Sequence, residues 1–261
     1  MLRTTLISIR FYPSEQDAAH HTRQKGPVYP HEKNTRMSKK CLIINAHPKA
    51  DAFCDALAQQ HARGLKDSGH DVREHQLRNL SFDPVFEGYD DDKALEPDLL
   101  MLQGDMQWAD HWVLVYPLWW GNVPGLLKGM LDRTLLPGFA FRFEKNRPLP
   151  RQLLKGKTAR LMVTMDSPPP LYKYVYGQPG HRQMKSLVLG FCGVKTSAIE
   201  NYGPLAFAGE KLRHAMLTRA YLSGRAGFRR DRLASAMAIP SGVAAAIKHS
   251  LQGNSKGTSE S

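Results

Sequence analysis

The chain has few cysteines and no long apolar run, and each of these absences excludes a class of protein. Its 261 residues include three cysteines, Cys41, Cys54 and Cys192. They lie far apart and form no CxxC pair, and an odd count at wide spacing is typical of free thiols in a reducing compartment. No apolar run approaches the ~20 residues that a membrane-spanning helix needs. We therefore expect a cytoplasmic protein without membrane insertion, with Cys41 and Cys192 packed in its core.

The chain also lacks the short motifs of several common enzyme classes. It has no GxGxxG, no P-loop, no GxSxG and no His/Cys cluster with the spacing of a metal site. These absences argue against a Rossmann dinucleotide fold, an ATPase, a serine hydrolase and a metal centre. Any chemistry that the chain performs must then come from a bound cofactor.

The positive charge is distributed in a way that argues against nucleic-acid binding. The formal net charge is +12, of which residues 1–36 carry +3, residues 223–261 carry +4 and the middle of the chain carries +5. No stretch interleaves Lys and Arg densely with aromatic residues, and basic tails are usually solvated. We therefore expect no nucleic-acid partner.

The sequence divides into a central region and two tails. Residues 1–36 show little periodicity and a new pattern begins at Met37, which predicts a disordered N-terminal extension and a native start at Met37. The polar end of the chain predicts a basic, partly disordered tail over residues 223–261. The folded domain is expected to span residues 37–222.

Within the central region, short apolar runs alternate with stretches of helical periodicity. Strands are predicted at 41–46, 71–77, 111–117, 158–165 and 194–203. Helices are predicted at 53–69, 97–110, 123–133, 182–193 and 208–222. This alternation predicts an α/β, flavodoxin-like three-layer fold, with a five-stranded parallel sheet of order 2-1-3-4-5 and helices on both faces.

In such a sheet, ligands bind at the carboxyl ends of the strands, where the strand order reverses. The loop after the first strand contains His47 and enters a helix, whose free N–H groups suit a phosphate. His47 either contacts that phosphate or only caps the helix entry. The loop after the third strand contains Trp119 and Trp120, which either flank a flat ring system or merely cover the sheet edge.

A third loop, residues 165–183, is rich in Pro and Tyr and is predicted to form a wall of the same pocket. Tyr172, Tyr174, Tyr176 and His181 are the nearby groups able to shuttle a proton or stabilise a developing anion. The alternative for each of them is packing alone.

Two segments beside these loops have structural predictions of their own. Asn122 is expected to cap the helix after the third strand, with Pro124 in its first turn. Phe139, Phe141 and Phe143 alternate, which predicts a short strand or arm. That arm serves either packing and a dimer surface or the wall of a substrate pocket.

Several of these segments together resemble one family. They are "LIINAHPKADAFCDAL", "WADHWVLVYPLWWGNVPGLLKGMLDRTLLPGFAF", "LLKGKTARLMVTMDSPP", "YGQPGH" and "LGFCGVK". Over about residues 40–220 the chain resembles the flavodoxin-like NAD(P)H:quinone oxidoreductases, most specifically in P-L-x-W followed by P-x-L-L-K-G. The resemblance implies a homodimer that binds FAD or FMN without a covalent bond. It also implies hydride transfer from NAD(P)H and a ping-pong transfer of two electrons to a quinone or other small aromatic acceptor.

Carried over residue by residue, the resemblance implies three flavin-binding loops. The pyrophosphate-side loop contains His47, Ala52, Phe53 and Cys54, the ring-side loop contains Pro117, Leu118, Trp119, Trp120 and Gly121, and the third loop contains Thr164, Met165 and Asp166. The family often has Ser before the Phe and Asn after it, so Ala52 and Cys54 remove two side-chain donors. Tyr172, Tyr176 and His181 are the candidates for the catalytic Tyr–His pair of the vertebrate members.

Two other functions stay open at this point. The family contains members that bind an ion-efflux channel and regulate it, so the chain is alternatively a flavin-binding regulatory subunit with ancillary reductase activity. A one-electron carrier similar to flavodoxin is the third possibility. Carriers usually offer an acidic docking face, whereas this chain is basic.

Overall fold

The computed structural model describes residues 38–89, 94–145 and 147–227. The predicted N-terminal extension and all but the first residues of the predicted C-terminal tail lie outside the described residues. Five parallel strands form the central sheet: β1 (Lys40–Asn45), β2 (Asp71–Gln76), β3 (His111–Pro117), β6 (Thr158–Thr164) and β7 (Lys195–Tyr202). Their order is β2-β1-β3-β6-β7, which confirms the predicted order 2-1-3-4-5 for the strands of this sheet. Two short antiparallel strands, β4 (Phe141–Arg142) and β5 (Arg151–Gln152), form a separate arm.

Helices cover both faces of the sheet, as predicted. One face carries α1 (Phe53–Lys66) and α7 (Glu210–Ala226). The other face carries α2 (Pro97–Trp108), α3 (Gly125–Thr134) and a helical segment made of α5 (Pro179–Arg182), a π-helix (Gln183–Leu189) and α6 (Gly190–Cys192). No helix in the described part of the chain is long and apolar enough to cross a membrane.

The central strand β3 shows why the apolar runs predicted strands correctly. All seven of its residues are buried. Trp112 and Tyr116 pack on the side of α2 and α3, whereas Val113 and Val115 pack on the side of α1 and α7. A strand that is buried on both faces needs apolar residues at every position, so it is recognisable as a continuous apolar run. Cys41 and Cys192 are also buried, as predicted.

Close backbone approach fixes α7 against α1. A Cβ atom added to Gly64 would lie 2.2 Å from the carbonyl oxygen of Tyr221, and one added to Gly224 would lie 2.3 Å from that of His61. Both positions are therefore open only to glycine unless the helices move apart. This contact holds α1, and with it the first loop of the predicted site, in a defined position.

Several predicted boundaries need correction. Residues 165–183 contain a short helix, α4 (Pro169–Tyr174), which begins at the Pro run because proline has no N–H to lose in a first turn. The last helix ends at Ala226, four residues beyond the predicted end at 222. The predicted helix 182–193 is helical, but residues Gln183–Leu189 adopt the π form.

Asn122 does not cap the next helix. Pro124 occupies the N-cap position and α3 begins at Gly125. The side-chain oxygen of Asn122 instead accepts a hydrogen bond from the N–H of Val123 at 2.8 Å, which fixes the turn before the helix.

The three alternating phenylalanines lie at the arm and are not equivalent. Phe141 is buried and contacts Phe143 and Phe191 edge-on, with ring centroids 5.5 and 5.0 Å apart. Phe139 packs against the core, whereas Phe143 is 71% exposed. The predicted arm therefore combines a core contact with an exposed apolar edge.

Candidate active site

The loop after β1 is tied to the first turn of α1 by a small polar network. The Asn45 side-chain oxygen accepts a hydrogen bond from the His47 N–H at 3.1 Å, and the Asn45 amide donates to Asp55. The Asp55 carboxylate also accepts from the Ala52 N–H at 3.2 Å and from Arg78 at 2.9 Å. Ala52 has no side-chain oxygen for capping, and the first N–H groups of a helix have no acceptor within it. The start of α1 is therefore suited to an anionic ligand group.

His47 joins this loop to the loop after β3. Its Nδ1 lies 3.1 Å from the backbone N and O of Lys49. Its ring contacts Trp119 edge-on, with centroids 5.8 Å apart. Burial lowers the pKa of His47, so the ring is neutral at neutral pH. The structure thus brings two of the predicted site residues into contact.

Residues 119–122 form a tight turn directly after Pro117 ends β3. The N–H of Trp119 donates to the Asn122 carbonyl, and the N–H of Asn122 donates to the Trp119 carbonyl, both at 2.9 Å. Trp120 (φ 51°) and Gly121 (φ 75°) are both left-handed, which is the combination of a type I′ turn. The Trp120 side chain lies wholly in solvent, so it does not cover the sheet edge. A bulky residue in the left-handed region is unfavourable and often marks a functional site.

The third predicted loop meets the other two at Thr164. Its carbonyl accepts a hydrogen bond from the Leu118 N–H at 2.7 Å, and its Oγ1 lies 3.3 Å from the Cys54 sulfur. Burial raises the pKa of the Cys54 thiol to about 12, so this residue is an uncharged thiol in the first turn of α1. Met165 is buried, whereas Asp166 is exposed. The residues that the resemblance assigned to three separate loops therefore converge at one edge of the sheet.

Two of the three candidates for the Tyr–His pair are brought together. The rings of Tyr172 and His181 meet edge-on with centroids 4.9 Å apart, and both residues are buried. Tyr176 is 60% exposed and does not join them. His181 Nε2 lies 2.8 Å from Asn201 Oδ1, and its buried Nδ1 has no hydrogen-bond partner among the described residues. Burial lowers the pKa of His181, so its ring is neutral at neutral pH.

The structure adds a cation that was not predicted from the sequence. The Arg213 guanidinium, on the first turns of α7, lies over the Phe53 ring at 5.5 Å from its centroid. Hydrogen bonds of 2.9 Å to the carbonyls of Ala208 and Leu205 hold it there. No local motif marks this residue, because its partner lies far away in the chain. The one feature of the sequence that could have indicated Arg213 is its position just after the loop that follows the last strand.

The sheet order and the convergence of loops at its switch point define a flavodoxin-like protein. A family model described as "Flavodoxin-like fold" matches residues 39–218. A solved structure, the NAD(P)H:quinone oxidoreductase from Methanothermobacter marburgensis, is similar with a TM-score of 0.59 at 22% identity, covering 72% of this chain and 98% of that one. At this identity the likeness shows the fold alone.

Two relatives assign the chain to a narrower family within this fold. An uncharacterised NAD(P)H oxidoreductase of Haemophilus influenzae is 31% identical over 186 residues, which cover 69% of this chain and 91% of that protein. The ribosyldihydronicotinamide dehydrogenase (quinone) of Rattus norvegicus is 29% identical over 206 residues, which cover 69% and 87%. The chain belongs to the flavodoxin-like NAD(P)H:quinone oxidoreductase family, as its sequence resemblance predicted.

Proposed function

We propose that the chain is a flavin-dependent NAD(P)H:quinone oxidoreductase. It takes two electrons from NAD(P)H and passes them, in a separate half-reaction, to a quinone or a similar small aromatic acceptor. The observation that carries the proposal is the meeting at one sheet edge of the α1 N-terminus, the His47–Trp119 contact and the loop at Thr164. Non-covalently bound FAD or FMN, when present, accepts and donates the hydride.

The residues at this edge fit such a cofactor. On the phosphate side, the first N–H groups of α1 and the nearby Arg213 offer positive charge to a phosphate. On the ring side, the backbone of Trp119, Trp120 and Gly121 would follow the edge of the flavin ring. Since Ala52 and the buried Cys54 offer no side-chain donor, affinity rests on backbone N–H groups and on Arg213.

The same edge offers aromatic surface to a flat acceptor. Trp120 is wholly exposed, and Tyr174 and Tyr176 are exposed on the segment that packs against its turn. We propose that nicotinamide and quinone occupy the same place in turn, as the ping-pong order requires. His181 Nε2 donates to Asn201 Oδ1, so in the neutral ring the unpartnered Nδ1 is an acceptor, which supports a role for His181 in taking up and passing on a proton.

We also propose that two copies form a homodimer. Phe143, Leu149 and Leu187 are each more than 70% exposed, and Phe143 lies beside the Phe141–Phe191 contact. Exposed apolar side chains of this kind favour an interface between subunits. Light scattering should give twice the monomer mass for the native protein, and Phe143→Ser should shift that mass toward the monomer.

A spectral titration tests the proposed reaction. Purified protein is mixed with FMN, FAD or riboflavin, and is then given NADPH or NADH without oxygen, followed by a soluble quinone. We expect bands near ~450 nm that bleach with the nucleotide and return with the quinone. Absence of flavin binding at micromolar concentration would contradict the proposal and favour a binding module without reductase activity. A lasting one-electron-reduced spectrum would favour an electron carrier.

A further inference from the structure

We infer that the Tyr172 hydroxyl is a latch that holds the turn at residues 119–122, so that Tyr172 is a positioning residue and not the proton donor of the reaction. The latch is a property of the protein without ligand. Its expected effect on flavin affinity rests on the proposed function.

The hydrogen bonds of Tyr172 carry this inference. Its hydroxyl donates to the Gly121 carbonyl at 2.9 Å and accepts from the Gly180 N–H at 3.0 Å. A phenol has one hydrogen to donate, and here that hydrogen is engaged by the turn. Proton donation to a ligand would require Tyr172 to release Gly121 first.

The turn needs such support because its backbone is unfavourable. Trp120 is a bulky residue in the left-handed region, and a free loop would leave that conformation. Tyr172 secures the carbonyl of the next residue, Gly121. The Gly180 N–H also donates to the Gly121 carbonyl oxygen at 3.0 Å, so that oxygen accepts from both Tyr172 and Gly180.

The packing around Gly180 allows it to approach both Gly121 and the Tyr172 hydroxyl. A Cβ atom on Gly180 would lie 2.5 Å from the Gly121 carbonyl oxygen and 3.1 Å from the Tyr172 hydroxyl, so glycine alone allows the approach. A further hydrogen bond of 2.6 Å joins the Asn122 amide to Gln183. Three contacts from the segment 172–183 therefore secure one turn.

The role of the Tyr172 hydroxyl can be tested separately from the packing of its ring. The residue is 2% exposed and its ring packs in the core cluster and against His181. Burial raises the pKa of Tyr172, which keeps the phenol protonated. Tyr172→Phe removes the hydroxyl and keeps the ring, so the latch is lost while the packing remains.

Hydrogen exchange of the protein without flavin tests the latch directly. In Tyr172→Phe, the amides of residues 119–122 and Gly180 should exchange about tenfold faster than in the unaltered protein, the effect of losing one buried hydrogen bond. The flavin dissociation constant should rise by a similar factor. The rate of flavin reduction by NADPH at saturating flavin, and its pH profile, should stay within about twofold of the unaltered values. Tyr221→Phe removes a tyrosine hydroxyl that bonds the Asp67 carboxylate at the other end of α1. It is the matched control and should change none of these.

The outcomes separate the latch from the alternatives. Unchanged exchange and affinity together with slower flavin reduction or a shifted pH profile would make Tyr172 a proton donor and overturn the inference. If the unaltered protein binds no flavin, the proposed function fails and the exchange experiment alone decides. Equal exchange in Tyr172→Phe and the unaltered protein would then overturn the latch.

Discussion

His61 is fully buried between α1 and α7, and its protonation is coupled to folding. Its Nδ1 lies 3.0 Å from Ser223 Oγ and 3.1 Å from the Ala220 carbonyl oxygen. Burial, with Arg160 nearby, lowers the pKa of His61 to about 4, although Glu200 opposes the shift. The unfolded chain takes up this proton near pH 6.5, so it binds more protons than the folded chain between pH 6.5 and 4. The free energy of unfolding should therefore fall as the pH falls through this window, by up to about 3 kcal/mol from His61.

Urea unfolding at pH 7.5 and pH 5 checks whether the free energy of unfolding falls as the pH falls. His61→Gln should be less stable at both pH values but should lose less stability between them than the unaltered protein. The remaining loss includes the contributions of His47, His111 and His181, whose pKa values burial also lowers. His214→Gln, on the exposed face of α7, serves as the control. An identical loss in His61→Gln and the unaltered protein would show that this histidine is not the source.

Arg213 should matter for the phosphate of the flavin and for no other part of it. Its guanidinium lies over Phe53 beside the start of α1. Arg213→Gln should raise the dissociation constant of FMN about tenfold, because a charge-assisted hydrogen bond is lost. Riboflavin, which has no phosphate, should bind both proteins equally. Fluorescence titration measures both constants, with the exposed Lys211→Gln as a charge-matched control. Equal weakening of FMN and riboflavin would place Arg213 away from the phosphate.

Residue contacts across the fold mark the limit of sequence-based prediction for the site. Strand ends and helix starts leave local signals, which predicted His47 and Trp119 on loops at one sheet edge, and the resemblance added Thr164. The structure brings these three residues to that edge. The bond between Tyr172 and Gly121 left no such signal, since it joins two loops through a tertiary contact. The same holds for Arg213, so local motifs predicted which loops converge but not the contacts that join them.

At the scale of elements, the three central strands β1, β3 and β6 were predictable because burial on both faces demands apolar runs. The short helix α4 was not, since three prolines in sequence suit both a stiff loop and a first helical turn. The end of α7 was predicted four residues early, because the contacts that hold its last turn are tertiary and leave no local signal. In the structure, Ser223 bonds His61, and Gly224 allows contact with α1.

The packing of α1 on α7 gives a prediction at this scale. Gly64→Ala should destabilise the fold by about 1–3 kcal/mol, because its Cβ would lie 2.2 Å from the Tyr221 carbonyl oxygen. Gly104→Ala is the control, since this exposed glycine lies within α2 and a Cβ there meets nothing within 4 Å. It should stabilise the fold by about 0.5–1 kcal/mol. Thermal unfolding measures both, and a neutral Gly64→Ala would contradict the close approach.

At the scale of the whole molecule, the described residues from Ser38 onward belong to one compact unit. The predicted domain limits at residues 37 and 222 stay predictions, but the second limit falls inside α7. The end of that helix is not frayed, because its residues form hydrogen bonds with Arg160, Ser68 and His61.

Shortening the chain at two neighbouring points tests where the fold ends. The Gly227 carbonyl accepts from Arg160 at 3.1 Å, the Arg225 carbonyl accepts from Ser68 at 2.9 Å, and Ser223 partners His61. A chain of residues 38–227 keeps all three contacts, so its urea midpoint and flavin affinity should match those of the full chain. A chain of residues 38–222 leaves buried polar groups without partners and should lose roughly 2–5 kcal/mol of stability. Equal stability of the two shortened chains would show that α7 is dispensable beyond residue 222, and a weakened 38–227 chain would show that the fold needs residues outside that range.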